Sequence, residues 1–288
     1  MTKAKYYIGV DGGGTGTRLK IQDSSGVLIA MGKGSASALS LGIDKSWQAI
    51  VEILNECIKD IRLNECYLGA GISGMNNSSW KKEFLLANPG FLKVVAKADG
   101  YTTLLGAHND KPGIIIALGT GSIGMSKDLS GKIHSVSGWG YPAGDEASGS
   151  WLGIQSVRYT EKVLDGRVKA SLLSNLIKEN CGKSSNEFLK WLGLATQTDY
   201  ASLAPLVFSV HNDDLFAKEL IAKALIDIEE MILTLDKTNL LPVVMCGKLG
   251  EQFLPYLPEH ISRRCISGIG SSVDGALMLI KDKGGDEK

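Results

Sequence analysis

The chain is 288 residues long, enough for two domains with cores of their own, and its 44% hydrophobic and 22% charged residues are ordinary for a soluble globular protein. Lys+Arg and Asp+Glu balance at 31 each, so no bulk charge draws the chain to nucleic acid or to a membrane surface. Five Cys (57, 66, 181, 246 and 265) include no CxxC, and no h-region or apolar run of spanning length is present; reduced thiols in a cytoplasmic protein are expected, without structural zinc, secretion signal or membrane span.

Three strands open the chain, Tyr6 to Asp11, Arg18 to Asp23 and Val27 to Gly32, joined by a glycine loop and a Ser24-Ser25-Gly26 turn. A helix from Lys45 to Ile61 follows, with Trp47, Ile50, Val51, Leu54 and Ile58 on one stripe. A strand from Tyr67 to Ile72 ends in Ser73-Gly74; next come a polar helix from Ser79 to Ala87, a strand from Lys93 to Ala98 ending at Asp99, and a helix from Gly100 to His108. From Gly113 the opening meander repeats through Ser137. Past a loop from Gly138 to Ser148, a helix runs from Ser150 to Leu164, and 167–235 is mostly helical, with Met231, Trp151 and Trp191 read as core. Pro242 to Cys246 is a strand running into Gly247-Lys248-Leu249-Gly250 and a short helix with Phe253 and Leu254. A last helix spans Ser272 to Lys281, and Lys283 to Lys288 reads as a frayed tail. His108, His134, His211 and His260 are scattered without ligand spacing. The pattern is a mixed-sheet α/β unit used twice.

The repeat has a fixed offset. Asp11-Gly12-Gly13-Gly14-Thr15-Gly16-Thr17 closes the first strand, and a shortened copy, Gly119-Thr120-Gly121-Ser122, returns 105 residues on (119 − 14). The same offset carries Asp23-Ser24-Ser25-Gly26 onto Asp128-Leu129-Ser130-Gly131. Glycine lets backbone N–H groups approach an anion, and Thr or Ser adds a hydroxyl donor, so both loops suit phosphate. The acid is not duplicated, because Ile116 stands at the offset from Asp11. Asp11 is therefore read as a Mg²⁺ partner acting through water, since Mg²⁺ keeps several waters. Gly119 to Gly124 spells GxGxxG, yet a turn and another strand follow where a dinucleotide site needs a helix. No GxxxxGK[ST] exists either.

Asp99 ends a strand and precedes a helix, a place that suits either an N-cap or a catalytic carboxylate. Gly138-Trp139-Gly140-Tyr141-Pro142-Ala143-Gly144-Asp145-Glu146 joins aromatic rings to carboxylates. That composition suits a sugar, or else a rigid loop whose Asp145 or Glu146 caps the next helix.

These residues resemble the sugar kinase–actin–Hsp70 ATPase superfamily over essentially the whole chain. Asp11 to Thr15 looks like its first phosphate motif, Gly119 to Ser122 like its second, and Val243-Val244-Met245-Cys246-Gly247 like its adenosine motif. Gly138-Trp139-Gly140…Gly144-Asp145-Glu146, Gly34-Ser35-Ala36-Ser37 and Ser73-Gly74 resemble the branch of BadF/BadG/BcrA/BcrD-type ATPases and N-acetylglucosamine kinases, bacterial glucosamine kinases most closely. Two positions depart from the pattern: Ser37 stands where mammalian-type N-acetylglucosamine kinases carry Asn, and Lys248 follows Gly247 where the adenosine motif has paired glycines.

The resemblance implies two ribonuclease H-like (actin-like ATPase) domains with mixed sheets flanking a central cleft. Residues 1–112 form the first, joined by the C-terminal helix 272–288, and 113–271 form the second. It implies ATP and Mg²⁺ as cofactors. Gly13, Gly14, Thr15, Thr17, Gly119, Thr120, Gly121, Ser122, Gly247 and Lys248 would contact the nucleotide. Ser37, Ser73, Gly74, Asp99, Gly138, Trp139 and Asp145 would contact the sugar, with Asp99 as base and Asp145 on a sugar hydroxyl. The expected reaction is transfer of the ATP γ-phosphoryl to an amino sugar, N-acetylglucosamine or glucosamine, at its 6-hydroxyl. A homodimer is compatible with this reading. The alternatives are an activator ATPase for a CoA-dehydratase, which in that branch holds an iron–sulfur cluster through cysteines, and a non-catalytic sugar sensor.

Overall fold

The glycines that alternate with apolar residues along the first strands dictate how their sheet is covered. In a computed structural model, which describes residues 4–282, β1 (Tyr6–Gly12), β2 (Thr17–Asp23) and β3 (Leu28–Gly34) form an antiparallel meander. After α1 (Ile43–Cys57), β4 (Cys66–Ile72) runs parallel to β1; after α2 (Ser78–Leu86), β5 (Lys93–Lys97) runs parallel to β4, and α3 (Asp99–His108) follows. The order is β3-β2-β1-β4-β5. Successive strand residues face opposite ways. One face thus presents Ile8, Val10, Leu19, Ile21, Leu68, Ala70 and Ile72, and packs on Trp47, Ile50, Ile53 and Leu54 of α1 and on Phe84. Trp47 stacks on Phe84 with ring centroids 4.1 Å apart.

The other face carries Gly9, Gly69 and Gly71. Here α12 (Ser272–Asp282) and α3 lie on bare backbone. A Cβ on Gly9 would collide with the Val273 carbonyl, on Gly69 with the Ala276 carbonyl, and on Gly71 with Thr102. The two helices meet just as closely, at Gly106 against Ser271 and Gly275 against Thr102. The Thr102 and Ser272 hydroxyls are 2.8 Å apart in that buried seam.

The chain divides into two compact units, one of residues up to Gly113 together with those from Ser267 onward, the other Ile114–Ile266. The second unit repeats the opening architecture with β6 (Gly113–Leu118), β7 (Ser122–Lys127) and β8 (Ile133–Val136). Helices α4 (Gly149–Leu164), α5 (Leu172–Cys181), α6 (Ser185–Leu192), α7 (Gln197–Ala201), α8 (Ala204–Val210) and α9 (Leu215–Leu235) follow. Then come β9 (Val243–Cys246), parallel to β6, α10 (Gly247–Phe253) and α11 (Glu259–Ser262). The order β8-β7-β6-β9 matches β3-β2-β1-β4. Both sheets are therefore the expected ribonuclease H-like arrangement. The core of this unit gathers Ile114, Ile116, Leu152, Phe188, Ile228, Met231 and Phe253, with Trp151 and Trp191 half-buried against it.

The 105-residue offset is visible in the turns. Asp23 Oδ1 accepts from Ser25 N, Ser25 Oγ and Val27 N at 2.9, 2.6 and 3.0 Å. Asp128 Oδ1 accepts from Ser130 N, Ser130 Oγ and Lys132 N at 2.9, 2.6 and 2.9 Å. β2 and β7 begin 105 residues apart, as do β3 and β8.

Three local expectations need correction. α1 ends at Cys57 rather than Ile61, because Ile58 is already extended (φ −137°, ψ 108°) and Asp60 turns the chain with φ 60°. Its inward stripe takes Ile53, and Val51 is only half-buried. The helix after the aromatic loop is capped by neither Asp145 nor Glu146 but by Ser148, whose Oγ accepts from Trp151 N at 3.1 Å. The expected frayed tail lies outside the described residues. Among the described residues no helix is long and apolar enough to cross a membrane.

Candidate active-site elements in each unit

In the first unit the β1–β2 loop is pinned at its base and open at its apex. Gly13 N donates to Gly16 O at 3.0 Å, and Gly13 O accepts from Ser37 N and Ala38 N, both at 3.2 Å. Gly14 and Thr15 are exposed, and a Cβ built on Gly14 would meet nothing within 4 Å. Thr17 turns inward. Its buried hydroxyl donates to Ser35 O at 2.6 Å and lies 2.7 Å from Ser37 Oγ. Ser37 is itself fully buried, so Thr17 and Ser37 brace the loop from behind. Ser73 joins the same knot: its N–H donates to Gly12 O at 2.8 Å, and its carbonyl accepts from Leu39 N at 3.0 Å. Gly74 follows with φ +96° and the Trp80 ring against it, where a side chain would be strained.

Asp11 lies directly opposite Arg18 in the β1–β2 register. Arg18 donates to Asp11 Oδ2 from Nη2 at 2.6 Å and from Nε at 3.1 Å. Asp99 is the first residue of α3; Ala98 is the N-cap, without a side-chain bond. The Asp99 carboxylate accepts from Gly100 N at 2.9 Å. Burial raises its pKa, the Gly100 amide opposes the rise, and the Asp11 charge adds to it. Asp99 is thus a carboxylate with enhanced proton affinity, electrostatically coupled to the acid at the base of the glycine loop.

In the second unit the β6–β7 loop has the same build. Gly119 N donates to Gly121 O at 2.9 Å, and a Cβ on Gly119 would enter open space. The loop rests on the start of α4, where Gly149 N donates to Gly119 O at 2.8 Å and Ser150 N to Thr120 O at 3.1 Å. Ser122 is buried, its Oγ 3.4 Å from that of Ser137, which donates to Glu146 at 2.7 Å. Gly247, at φ +83°, starts α10 so close to β6 that a Cβ would collide with the Leu118 carbonyl. Lys248 beside it is exposed.

The 138–146 loop folds back on itself through Gly138 (φ +73°), Gly140 (φ +88°) and a Gly144 N to Gly140 O bond of 2.8 Å. It presents Trp139, 87% exposed, and its Tyr141 leans on Tyr200 at 5.9 Å between centroids. Asp145 points inward. It is buried with φ 62°, and its carboxylate accepts from Gly140 N at 3.1 Å and Gln197 Nε2 at 3.2 Å, with the Ser122 amide also bonded to it. Burial raises the Asp145 pKa, and the Gly140 and Ser122 amides pull against the rise. Gln197 carries no motif signal and lies 52 residues away in sequence.

The donor sets fit the groups that the fold implies. In each unit a bare glycine edge faces open space that a single Cβ would enter, which suits a phosphate approached by amides. Asp11 offers one hard oxygen donor, and among the described residues no group of three or more His, Cys, Asp or Glu could cage a metal. A cation at Asp11 would take its remaining ligands from water and phosphate oxygens, the usual coordination of Mg²⁺.

The profile of the BadF/BadG/BcrA/BcrD ATPase family matches residues 8–267. Glucosamine kinase GspK of Vibrio cholerae is 25% identical over 281 residues, covering 95% of each chain. The N-acetylmuramic acid/N-acetylglucosamine kinase of Clostridium acetobutylicum is 29% identical over 231 residues, 76% of each. A crystal structure from Chromobacterium violaceum, of a protein provisionally named N-acetylglucosamine kinase, is 43% identical and superposes with a TM-score of 0.93 over 96% of this chain and 99% of that one. From the span of the profile match and that near end-to-end relative, the chain belongs to the BadF/BadG/BcrA/BcrD ATPase family.

Proposed function

We propose that this chain transfers the γ-phosphoryl group of ATP to a hydroxyl of an amino sugar, N-acetylglucosamine or glucosamine, at the 6-position. The observation that carries the reading is Asp99, a half-buried carboxylate at a strand end whose proton affinity burial raises. It accepts the sugar hydroxyl proton as that oxygen bonds to the γ-phosphorus. The bond from the γ-phosphorus to the β–γ bridging oxygen breaks, and ADP leaves. The amides of Gly14 and Thr15 and those of Thr120 and Gly121 hold phosphate oxygens, while those of Gly13 and Gly119 close their own loops on Gly16 O and Gly121 O. Asp11 would hold Mg²⁺ through water, and that ion would neutralise phosphate charge. Thr17 keeps the first loop in shape rather than touch the nucleotide, and Ser37 and Ser73 brace it from behind rather than touch the sugar, as their inward bonds support. Trp139 offers an apolar face to the sugar ring. Gly247 and Lys248 pass beside the adenosine.

The names of the relatives support an amino sugar as acceptor. The free thiols, with Cys66 pushed up to about 11 and Cys181 and Cys246 to about 12 by burial, suit a cytoplasmic enzyme. An ADP-release assay over glucosamine, N-acetylglucosamine, N-acetylmannosamine and glucose tests the reading. Release that requires an amino sugar is expected, and equal release without sugar would point to an activator ATPase instead.

A further inference from the structure

Asp145 is the meeting point of three segments of the second unit. Its Oδ1 takes the Gly140 amide of the aromatic loop at 3.1 Å, and the Ser122 amide of the second glycine loop bonds to the same carboxylate. Its Oδ2 takes the side-chain amide of Gln197, from α7, at 3.2 Å. The contact with the glycine loop is tight, since a Cβ on Gly121 would stand 2.7 Å from Asp145 Oδ2. A carboxylate has about four lone-pair sites, so three donors leave one for a hydroxyl from outside. The Gln197 bond holds Oδ2 from the α7 side.

The placement of Gln197 is itself constrained. α7 packs on α4 with backbone against backbone, so that a Cβ on Gly153 would collide with the Tyr200 carbonyl, and one on Gly149 would stand 3.2 Å from Ala201 Cβ. α4 in turn donates its first amides to Gly119 O and Thr120 O. Glycine loop, α4, α7, Gln197 and Asp145 therefore close a ring of contacts. Tyr200 of α7 also leans on Tyr141 of the aromatic loop. A shift at the loop cannot leave Asp145 without reaching Gly121 and Ser122.

We propose that Gln197 is a positioning residue which, by holding Asp145, makes the aromatic loop and the second glycine loop move as one, so that an amino sugar on the former sets the phosphate grip of the latter and ATP turnover waits for sugar. The inference rests on the kinase reading above and adds to it how the sugar is sensed. Gln197 touches no substrate in this account and acts only through Asp145.

The test compares wild type with Gln197→Leu, which keeps bulk and loses the donor, and Gln197→Lys, which keeps a donor of similar reach. ADP release is measured with and without saturating sugar, with the sugar KM and the unfolding midpoint alongside. Loss of a hydrogen bond to a charged group corresponds to roughly a tenfold effect or more. Gln197→Leu is expected to raise the sugar KM and lower the sugar stimulation of ADP release roughly tenfold in protein that remains folded at the assay temperature, and Gln197→Lys to recover most of both. A folded Leu variant with wild-type KM and stimulation overturns the proposal, as does a folded Lys variant no better than Leu. Should the Leu variant fail to fold, Gln197→Glu takes its place: it is isosteric, repels Asp145, and must show the same loss. Wild-type release indifferent to every sugar overturns the kinase reading and this inference with it. Sugar-dependent wild type beside an unaffected variant overturns this inference alone.

Discussion

The Arg18 guanidinium holds one oxygen of Asp11 with two donors, Nη2 at 2.6 Å and Nε at 3.1 Å, across directly paired residues of β1 and β2. The Arg18 side chain is 67% exposed and that of Asp11 only 14%. A pair with one exposed partner contributes about 0–1 kcal/mol, so a competing cation can displace Arg18 at little cost. Arg18→Gln should lower the half-saturating Mg²⁺ in ADP release by roughly threefold, of the order expected from losing such a pair. Asp11→Ala should raise it and lower the rate as well. A Mg²⁺ titration insensitive to both changes would remove Asp11 from the metal site.

Asp99→Asn keeps the shape and removes the base. Turnover should fall by about 10²–10⁴, while nucleotide and sugar still bind in equilibrium titrations. Near-normal turnover would sink the assignment.

The same substitution has a signature in stability. Burial raises the folded pKa of Asp99 above its unfolded value, so the native state binds the proton more tightly. The group's stabilising contribution is then fully present below the unfolded pKa and is lost as pH rises through the folded pKa. Asp99→Asn should therefore unfold at a higher temperature than wild type near neutrality, and the gap should close as pH falls. A gap that stays constant from neutral to acid pH would mean that Asp99 titrates normally.

Asp128 shows the opposite sign. The Ser130 hydroxyl, His134 and the Lys132 and Ser130 amides hold its carboxyl well below the usual range. Asp23 is lowered chiefly by the Ser25 hydroxyl, with no histidine. Each contributes stability present above the unfolded pKa and lost as pH falls through the folded one. Asp128→Asn should flatten the acid limb of the unfolding profile more than Asp23→Asn does. Equal flattening would leave His134 without a part in it.

Glycine substitutions should separate architecture from site. A Cβ on Gly69 strikes the Ala276 backbone, whereas Cβ atoms on Gly14 and Gly119 meet nothing. Gly69→Ala should destabilise by roughly 1–3 kcal/mol through overpacking. Gly14→Ala and Gly119→Ala should leave the unfolding midpoint alone and raise the ATP KM. Loss of stability in the latter two would show that the loop edges are not free.

Much of the fold was legible because the 105-residue offset is carried by turn chemistry, Asp-x-Ser-Gly, that dictates the same hydrogen bonds twice. The inward turn of Thr17 also had a signal: it shares the period-2 face of Leu19 and Ile21. Motif resemblance grouped Thr17 with the phosphate residues instead. The end of α1 was misread because Ile58 and Ile61 continue an apolar pattern after the helix has stopped, packing on the core from extended chain. Gln197 could not be read at all. Its bond to Asp145 depends on α4 and α7 meeting backbone to backbone, a tertiary fact with no local trace except the two glycines of α4.

The seam between α12 and the glycine faces of β1 and β4 has a consequence for synthesis. Gly9 and Gly69 leave their part of that face, beside the part α3 covers at Gly71, as bare backbone until Val273 and Ala276 arrive. A ribosome must therefore translate the whole of Ile114–Ile266 before the first sheet can be closed. Domains usually mature from the N-terminus as the chain emerges; here the unit that begins first is the one that must finish last.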